Sequence, residues 1–210
     1  MGGGLFVTFE GPEGSGKTTQ IHRLVDSLRS AGRVVLPLRE PGGTTIGEKI
    51  RGLLLDMSGS PMQIETEALL FLAARRELVQ ERIRPALQAG QTVICDRFAD
   101  ATLAYQGYGR GMDLDSLRAL NAFATAGCRP DLTVLLDLPV EAGLQRRKLD
   151  PAEWNRFDAA SLAFHQQVRR GYLELARAEP ERWRVIDADR PADLVALDVA
   201  RVVHEALATI

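Results

Sequence analysis

The chain has 210 residues, 45% of them hydrophobic, and a formal net charge of −2 from 26 Lys+Arg against 28 Asp+Glu. That length supports one buried core, and a balance so near neutrality excludes the global field that would draw in nucleic acid or an anionic membrane. Any phosphate site must therefore be local. Lysine occurs only at Lys17, Lys49 and Lys148, which leaves 23 of the 26 basic residues as arginine, the better bidentate phosphate binder, although such a bias is by itself compositional. Two cysteines, Cys95 and Cys128, give neither metal-ligand spacing nor a disulfide framework and suit a reducing compartment; Cys95 sits in an apolar run and reads as a small core residue. No stretch is long and apolar enough for a membrane span, and the first residues lack a signal pattern, so a cytoplasmic location is expected.

The first element is Leu5-Phe-Val-Thr-Phe9, which reads as a buried strand. Directly after it, Gly11-Pro-Glu-Gly-Ser-Gly-Lys17-Thr18 fits G-x-x-x-x-G-K-[ST], and Ile21, Leu24, Val25 and Leu28 then repeat with helical period. A glycine-rich turn between a strand and a helix lets successive backbone N–H groups cradle phosphate oxygens, with the helix dipole adding to the attraction. Gly11, Pro12, Glu13, Gly14, Ser15, Gly16, Lys17, Thr18 and Thr19 are accordingly read as a nucleoside triphosphate site, with Lys17 reaching the outer phosphates and the Thr18 hydroxyl a ligand for Mg²⁺.

Further apolar, β-branched runs at 34–38, 92–96, 132–137 and 183–187 alternate with helical patterns, which predicts a five-stranded parallel sheet covered by helices on both faces. Ser60-Pro61-Met-Gln63 predicts a helix start, with Ser60 as N-cap, Pro61 first in the helix and Gln63 closing a capping box; the helix is expected to run to about Arg84, before Pro85 and Gly90. Asp113 reads as the cap of a helix ending at Gly127, and residues 158–178 as another with Leu162, Val168, Tyr172 and Leu175 on one face. Between them the polar, basic segment from Gln145 to Arg156, broken by Pro151, reads as a mobile flap. One domain, 1–210, is expected, with a lid at about 145–157.

Ligands of open parallel sheets bind beyond the carboxyl ends of the strands. The polar residues there are Glu10, the segment Arg39-Glu-Pro-Gly-Gly-Thr44, and Asp96-Arg97. Asp96 fits a Walker-B carboxylate that holds Mg²⁺, against the plainer reading of a cap or an ion pair with Arg97. Phe71 and Arg75, four apart on a helix, could form a nucleobase platform, although a Phe among Ala68, Leu69, Leu72 and Ala73 is by itself more often core. A switch or motor ATPase fits poorly, since a GTPase needs an Asn-Lys-x-Asp segment and the chain has no Asn-Lys pair.

Over essentially its whole length the chain resembles thymidylate kinases. The resemblance rests on Phe9-Glu-Gly-Pro-Glu-Gly-Ser-Gly-Lys-Thr-Thr19, Arg39-Glu-Pro-Gly-Gly-Thr44, Phe71-Leu-Ala-Ala-Arg75-Arg76, Asp96-Arg97, Leu103-Ala-Tyr-Gln-Gly107, Pro130-Asp-Leu-Thr133 and Asn155-Arg156, all in order. It implies a P-loop nucleoside monophosphate kinase-like three-layer α/β sandwich that moves the γ-phosphoryl of ATP to dTMP with Mg²⁺, as a homodimer, with dTDP serving dTTP synthesis. It further implies Arg39, Arg51 and Arg97 as grips on the dTMP phosphate and Phe71 stacked on thymine, with Arg75, Thr102 and Gln106 as partners of the base. Tyr105 would lie beneath the sugar and disfavour a 2′-OH, and Glu13 would approach the 3′-OH and the Mg²⁺ environment. The loop 11–18 lacks the arginine some members carry there, whereas the flap has Arg146, Arg147 and Arg156, which resembles the bacterial subtype with catalytic lid arginines. Arg156 and Arg147 are thus expected to act beside Lys17, Arg97 and Glu13. The nearest alternative is a kinase of another nucleotide or of a deoxynucleoside.

Overall fold

The computed structural model describes residues 4–57, 61–149 and 154–209. Strands β1 (Phe6–Glu10), β2 (Val35–Arg39), β3 (Thr92–Asp96), β4 (Leu132–Asp137) and β5 (Trp183–Asp187) form one parallel sheet in the order β2-β3-β1-β4-β5. Each lies within one residue of its expected bounds. β1 is buried along its whole length because helices cover both sides, whereas the edge strands β2 and β5 are only partly buried.

Strand side chains alternate between two cores. Val7 and Phe9 pack with Ile21, Leu24, Val25 and Leu28 of α1 (Lys17–Ser30) and with Val195, Val199, Val202 and Val203 of α9 (Ala192–Leu207). Phe6, Val93 and Cys95 face the other way, against Leu78, Val79 and Ile83. Each such fully buried apolar side chain stabilises the fold by about 1.5–3 kcal/mol. The fold is the expected α/β sandwich.

Several boundaries differ from expectation. The helix assigned to Pro61–Arg84 begins at Ile64 (α3, Ile64–Leu78); Gln63 is extended, and Ser60 lies outside the described residues. Met62 instead packs beside Ile50 and Leu54 of α2 (Thr45–Leu55), which holds the chain off a helical course. At its far end α3 passes through a π-helical turn, Val79–Ile83, into α4 (Arg84–Gln88), with Pro85 in the first turn. Proline removes one backbone donor, and the wider turn accommodates that loss without ending the rod.

α5 (Ala99–Thr102) likewise runs into a π-helical segment, Leu103–Gly109. α6 (Leu114–Thr125) starts at Asp113, whose Oδ2 accepts from Ser116 N at 2.7 Å. The start of the expected flap, 145–148, is the last turn of helix α7 (Val140–Lys148), while 150–153 lie outside the described residues. α8 (Leu162–Ala178) begins four residues later than expected because Ser161 caps it, its Oγ accepting from Phe164 N at 3.2 Å.

Candidate active site

A cavity of about 1220 Å³ opens beyond the carboxyl ends of β1, β2 and β3. Its floor is the loop 11–16, where Gly11, Gly14 and Gly16 have φ of 144°, 70° and 85°, values that L side chains resist. The turn aims the start of α1 into the cavity. Lys17 is buried, and its Nζ donates to Gly11 O, Pro12 O and Ser15 Oγ, each at 3.2 Å. Burial, reinforced by the charge of Arg97, pushes its pKa down to about 8. An ammonium held this way gains from an incoming polyphosphate. Beside it, Thr18 Oγ1 donates to Asp96 Oδ2 at 3.5 Å, which places two hard oxygens together at the loop's edge.

Arg97 closes the floor. It follows β3 with φ 68°, a left-handed conformation that costs a non-glycine residue about 1–2 kcal/mol. Four contacts hold it there. Nη1 donates to Gly11 O at 3.2 Å and Tyr172 Oη at 2.9 Å, Nη2 pairs with Glu13 Oε1 at 3.0 Å, and the guanidinium lies 4.7 Å over the Tyr105 ring. The carboxylate partner of Arg97 is therefore Glu13, not Asp96. Glu13 also accepts from Tyr105 Oη at 2.7 Å. Burial pushes the Glu13 carboxyl up, but Arg97 and Lys17, with help from Tyr105 and Arg147, outweigh it and hold the pKa at about 2. Glu10 sits deeper and behaves oppositely. Burial raises its pKa to about 8, and it accepts from Phe98 N at 2.8 Å and from Tyr172 Oη at 2.7 Å.

On one side of this floor stand Phe71, Thr102, Tyr105 and Gln106, which line the cavity together. The short α5 and its π-helical continuation carry three of them, and the wider turn sets Tyr105 and Gln106 side by side. Arg39 and Arg51 line the cavity from β2 and α2; Arg39 Nη2 pairs with Glu48 at 3.0 Å and Arg51 Nη1 donates to Pro41 O at 3.0 Å.

Two expected residues are placed elsewhere. Arg75 does not line the cavity. It is fully buried, with Nε and Nη2 on Glu40, Nη1 on Thr102 and Asn121, and Nη2 also on Phe98 O, so all five donors are engaged within the protein. Its place is behind Thr102. Arg156 also lies off the cavity wall: Nη1 pairs with buried Glu67 at 2.8 Å, and Nε donates to Leu54 O at 3.1 Å. The buried carboxylate draws it away from the phosphate loop. Arg147 does line the cavity, held bidentate by Asp158 at 2.9 and 3.0 Å, and Arg146 does so beside Asp189.

A P-loop floor, a carboxylate at the end of β3 beside Thr18, and an aromatic wall with an amide and a hydroxyl together describe a nucleotide kinase, and a family model described as thymidylate kinase matches residues 9–199. The chain belongs to the thymidylate kinase family. It is 54% identical to a thymidylate kinase of Thermomicrobium roseum over 96% of this chain and 95% of that one, and 50% identical to one of Deinococcus radiodurans over 98% of each. A crystal structure of thymidylate kinase from Ehrlichia chaffeensis superposes with a TM-score of 0.78 at 36% identity, covering 97% of this chain and 99% of that one. Thymidylate kinases phosphorylate dTMP to dTDP. No helix of the described residues is long and apolar enough to cross a membrane.

The sequence pattern left two residues of this thymidylate kinase site unread and gave a third, Glu40, no partner. Tyr172 counted only as one of an apolar helical face, yet its hydroxyl joins Glu10 to Arg97. Glu67 and Glu40, both buried, pair with Arg156 and Arg75 across long sequence separations. Their one visible signal was a charge placed on an otherwise inward-facing helix or strand end.

Proposed function

We propose that the cavity takes ATP on the loop Gly11–Thr19 and dTMP against Phe71, Thr102, Tyr105 and Gln106, and that Lys17, Arg97 and Arg147 neutralise the charge that spreads over the transferred phosphoryl. The observation that carries this reading is the Arg97–Glu13–Tyr105 network, which joins the phosphate loop, within the field of buried Lys17, to the base wall in one cavity. The accepting phosphate oxygen is already anionic, so alignment and neutralisation suffice. Arg39 and Arg51 face the acceptor phosphate from the β2 side, and Arg97 meets it from below. Arg75 supports the base through Thr102, and any direct bond to a base carbonyl shares a donor already in use. Glu13 holds Arg97 and Tyr105 in register.

Thr18 and Asp96 fit Mg²⁺, which takes one or two protein oxygens and completes its shell with phosphate and water. The described residues hold no cluster of three or more His, Cys, Asp or Glu, as an all-protein cage would need. Magnesium bound there would supply charge neutralisation at the triphosphate.

Residues 150–153 of the expected lid lie outside the described residues; among the described arginines of 145–157, Arg146 and Arg147 rather than Arg156 line the cavity of this single domain. A homodimer is the assembly favoured by exposed Leu53, Leu69 and Phe123 on α2, α3 and α6; a cytoplasmic location fits the two free cysteines, Cys95 and Cys128. Coupled ADP release across a panel of nucleoside monophosphates tests the reading: dTMP should give the highest kcat/KM, and a different preferred monophosphate overturns it.

A further inference from the structure

Glu67 is buried at the back of the base wall, on α3, and does not line the cavity. Its two oxygens are used differently. Oε2 takes Arg156 Nη1 at 2.8 Å and Arg110 Nη2 at 3.4 Å, which leaves Oε1 to accept from Gln106 Nε2 at 2.8 Å. An ion-paired carboxylate only accepts hydrogen bonds. It therefore compels the amide of Gln106 to turn its NH₂ inward and its carbonyl oxygen the other way, toward the cavity that Gln106 lines. Four residues earlier, Thr102 Oγ1 accepts from Arg75 Nη1 at 2.9 Å, and its own proton remains to be donated. The wall thus offers one donor and one acceptor.

We propose that Glu67 is a specificity-determining positioning residue: by fixing the amide of Gln106, it selects pyrimidines that carry a proton on N3, thymine and uracil, over cytosine. This rests on the dTMP-kinase reading above. A ring N3–H flanked by carbonyls meets the Gln106 carbonyl oxygen and the Thr102 hydroxyl as donor to acceptor and acceptor to donor. Cytosine presents a bare N3 lone pair to the same oxygen, and two acceptors then face each other in a desolvated wall. A free amide could rotate to suit either base. One bonded to Glu67 cannot, so discrimination comes from a residue that never touches the nucleotide.

The test is Glu67→Gln, which keeps shape but lets residue 67 donate, so that the Gln106 amide can turn over. The dTMP-to-dCMP ratio of kcat/KM should fall about tenfold or more, the scale of one misdirected buried hydrogen bond. The dTMP-to-dUMP ratio should not move, since both bases carry N3–H; a merely structural role would shift no ratio. In a Gln106→Met background Glu67→Gln should leave the dCMP ratio unaltered. An unchanged dCMP ratio in the single variant, or an equal change in the Met background, overturns the proposal. A wild-type enzyme that fails to prefer dTMP overturns the underlying reading instead. Should Glu67→Gln not fold, the Gln106 side-chain amide resonance of the intact protein, assigned by its loss in Gln106→Met, decides: slow solvent exchange without nucleotide supports the bond to Glu67, and fast exchange refutes it.

Discussion

Replacing Gly143 by alanine sets local propensity against site geometry. Gly143 lies inside α7, where alanine is the better helix former by about 1 kcal/mol, so the helix itself would gain. A Cβ on Gly143, however, would stand 2.2 Å from the carbonyl oxygen of Glu13, and one on Gly14 would stand 2.0 Å from the carbonyl oxygen of Gly143. The phosphate loop and α7 touch backbone to backbone. Restoring ordinary contact requires them to part by about 1 Å, and misplacement on that scale costs catalysis on the order of 10²-fold. Both substrates would feel it, because Glu13 also pairs with Arg97. Steady-state ADP release should show kcat/KM for ATP lowered on that order, and a thermal melt should fall as well, because about 1 kcal/mol of helix propensity does not offset a backbone clash. Wild-type kcat and KM for ATP in Gly143→Ala would refute the claim that α7 buttresses the loop.

Lys17 titrates near pH 8 in the free protein, and its charged form, the one that meets phosphates, is present below that value and lost above it. ATP affinity should hold from about pH 7 to 8 and then weaken about tenfold per pH unit, with proton uptake on binding; titration calorimetry in two buffers of different ionisation enthalpy measures both, and a flat affinity to about pH 9 contradicts the assignment. Arg147→Ala should lower kcat, because Arg147 borders the cavity beside the phosphate loop and is placed to neutralise charge on the transferred phosphoryl. Arg156→Ala should instead raise KM for dTMP and cost about 1–3 kcal/mol in stability by leaving buried Glu67 short of a partner; kinetics showing the reverse division would exchange the two roles.

The strands, the phosphate loop and the capped helices were legible in the sequence because each is decided within a few residues. Continuous apolar runs need two covered faces, the glycines at 11, 14 and 16 need positive φ, and Asp113 caps its own helix three residues on. Thr18 and Asp96 were each singled out by position, one at the start of the first helix and one at the end of a strand, but their mutual hydrogen bond is set by the packed sheet. Periodicity shows which face of an element turns inward, but not which distant charge it will meet there. Arg75 and Arg156 looked like groups free to face a ligand, and the fold brings each against a buried carboxylate, Glu40 and Glu67. Tyr172 looked like packing, and the fold makes its hydroxyl the link between Glu10 and Arg97. A buried polar group must find its partner wherever the chain brings one, and across 35 to 162 residues of separation only the packed structure determines where that is.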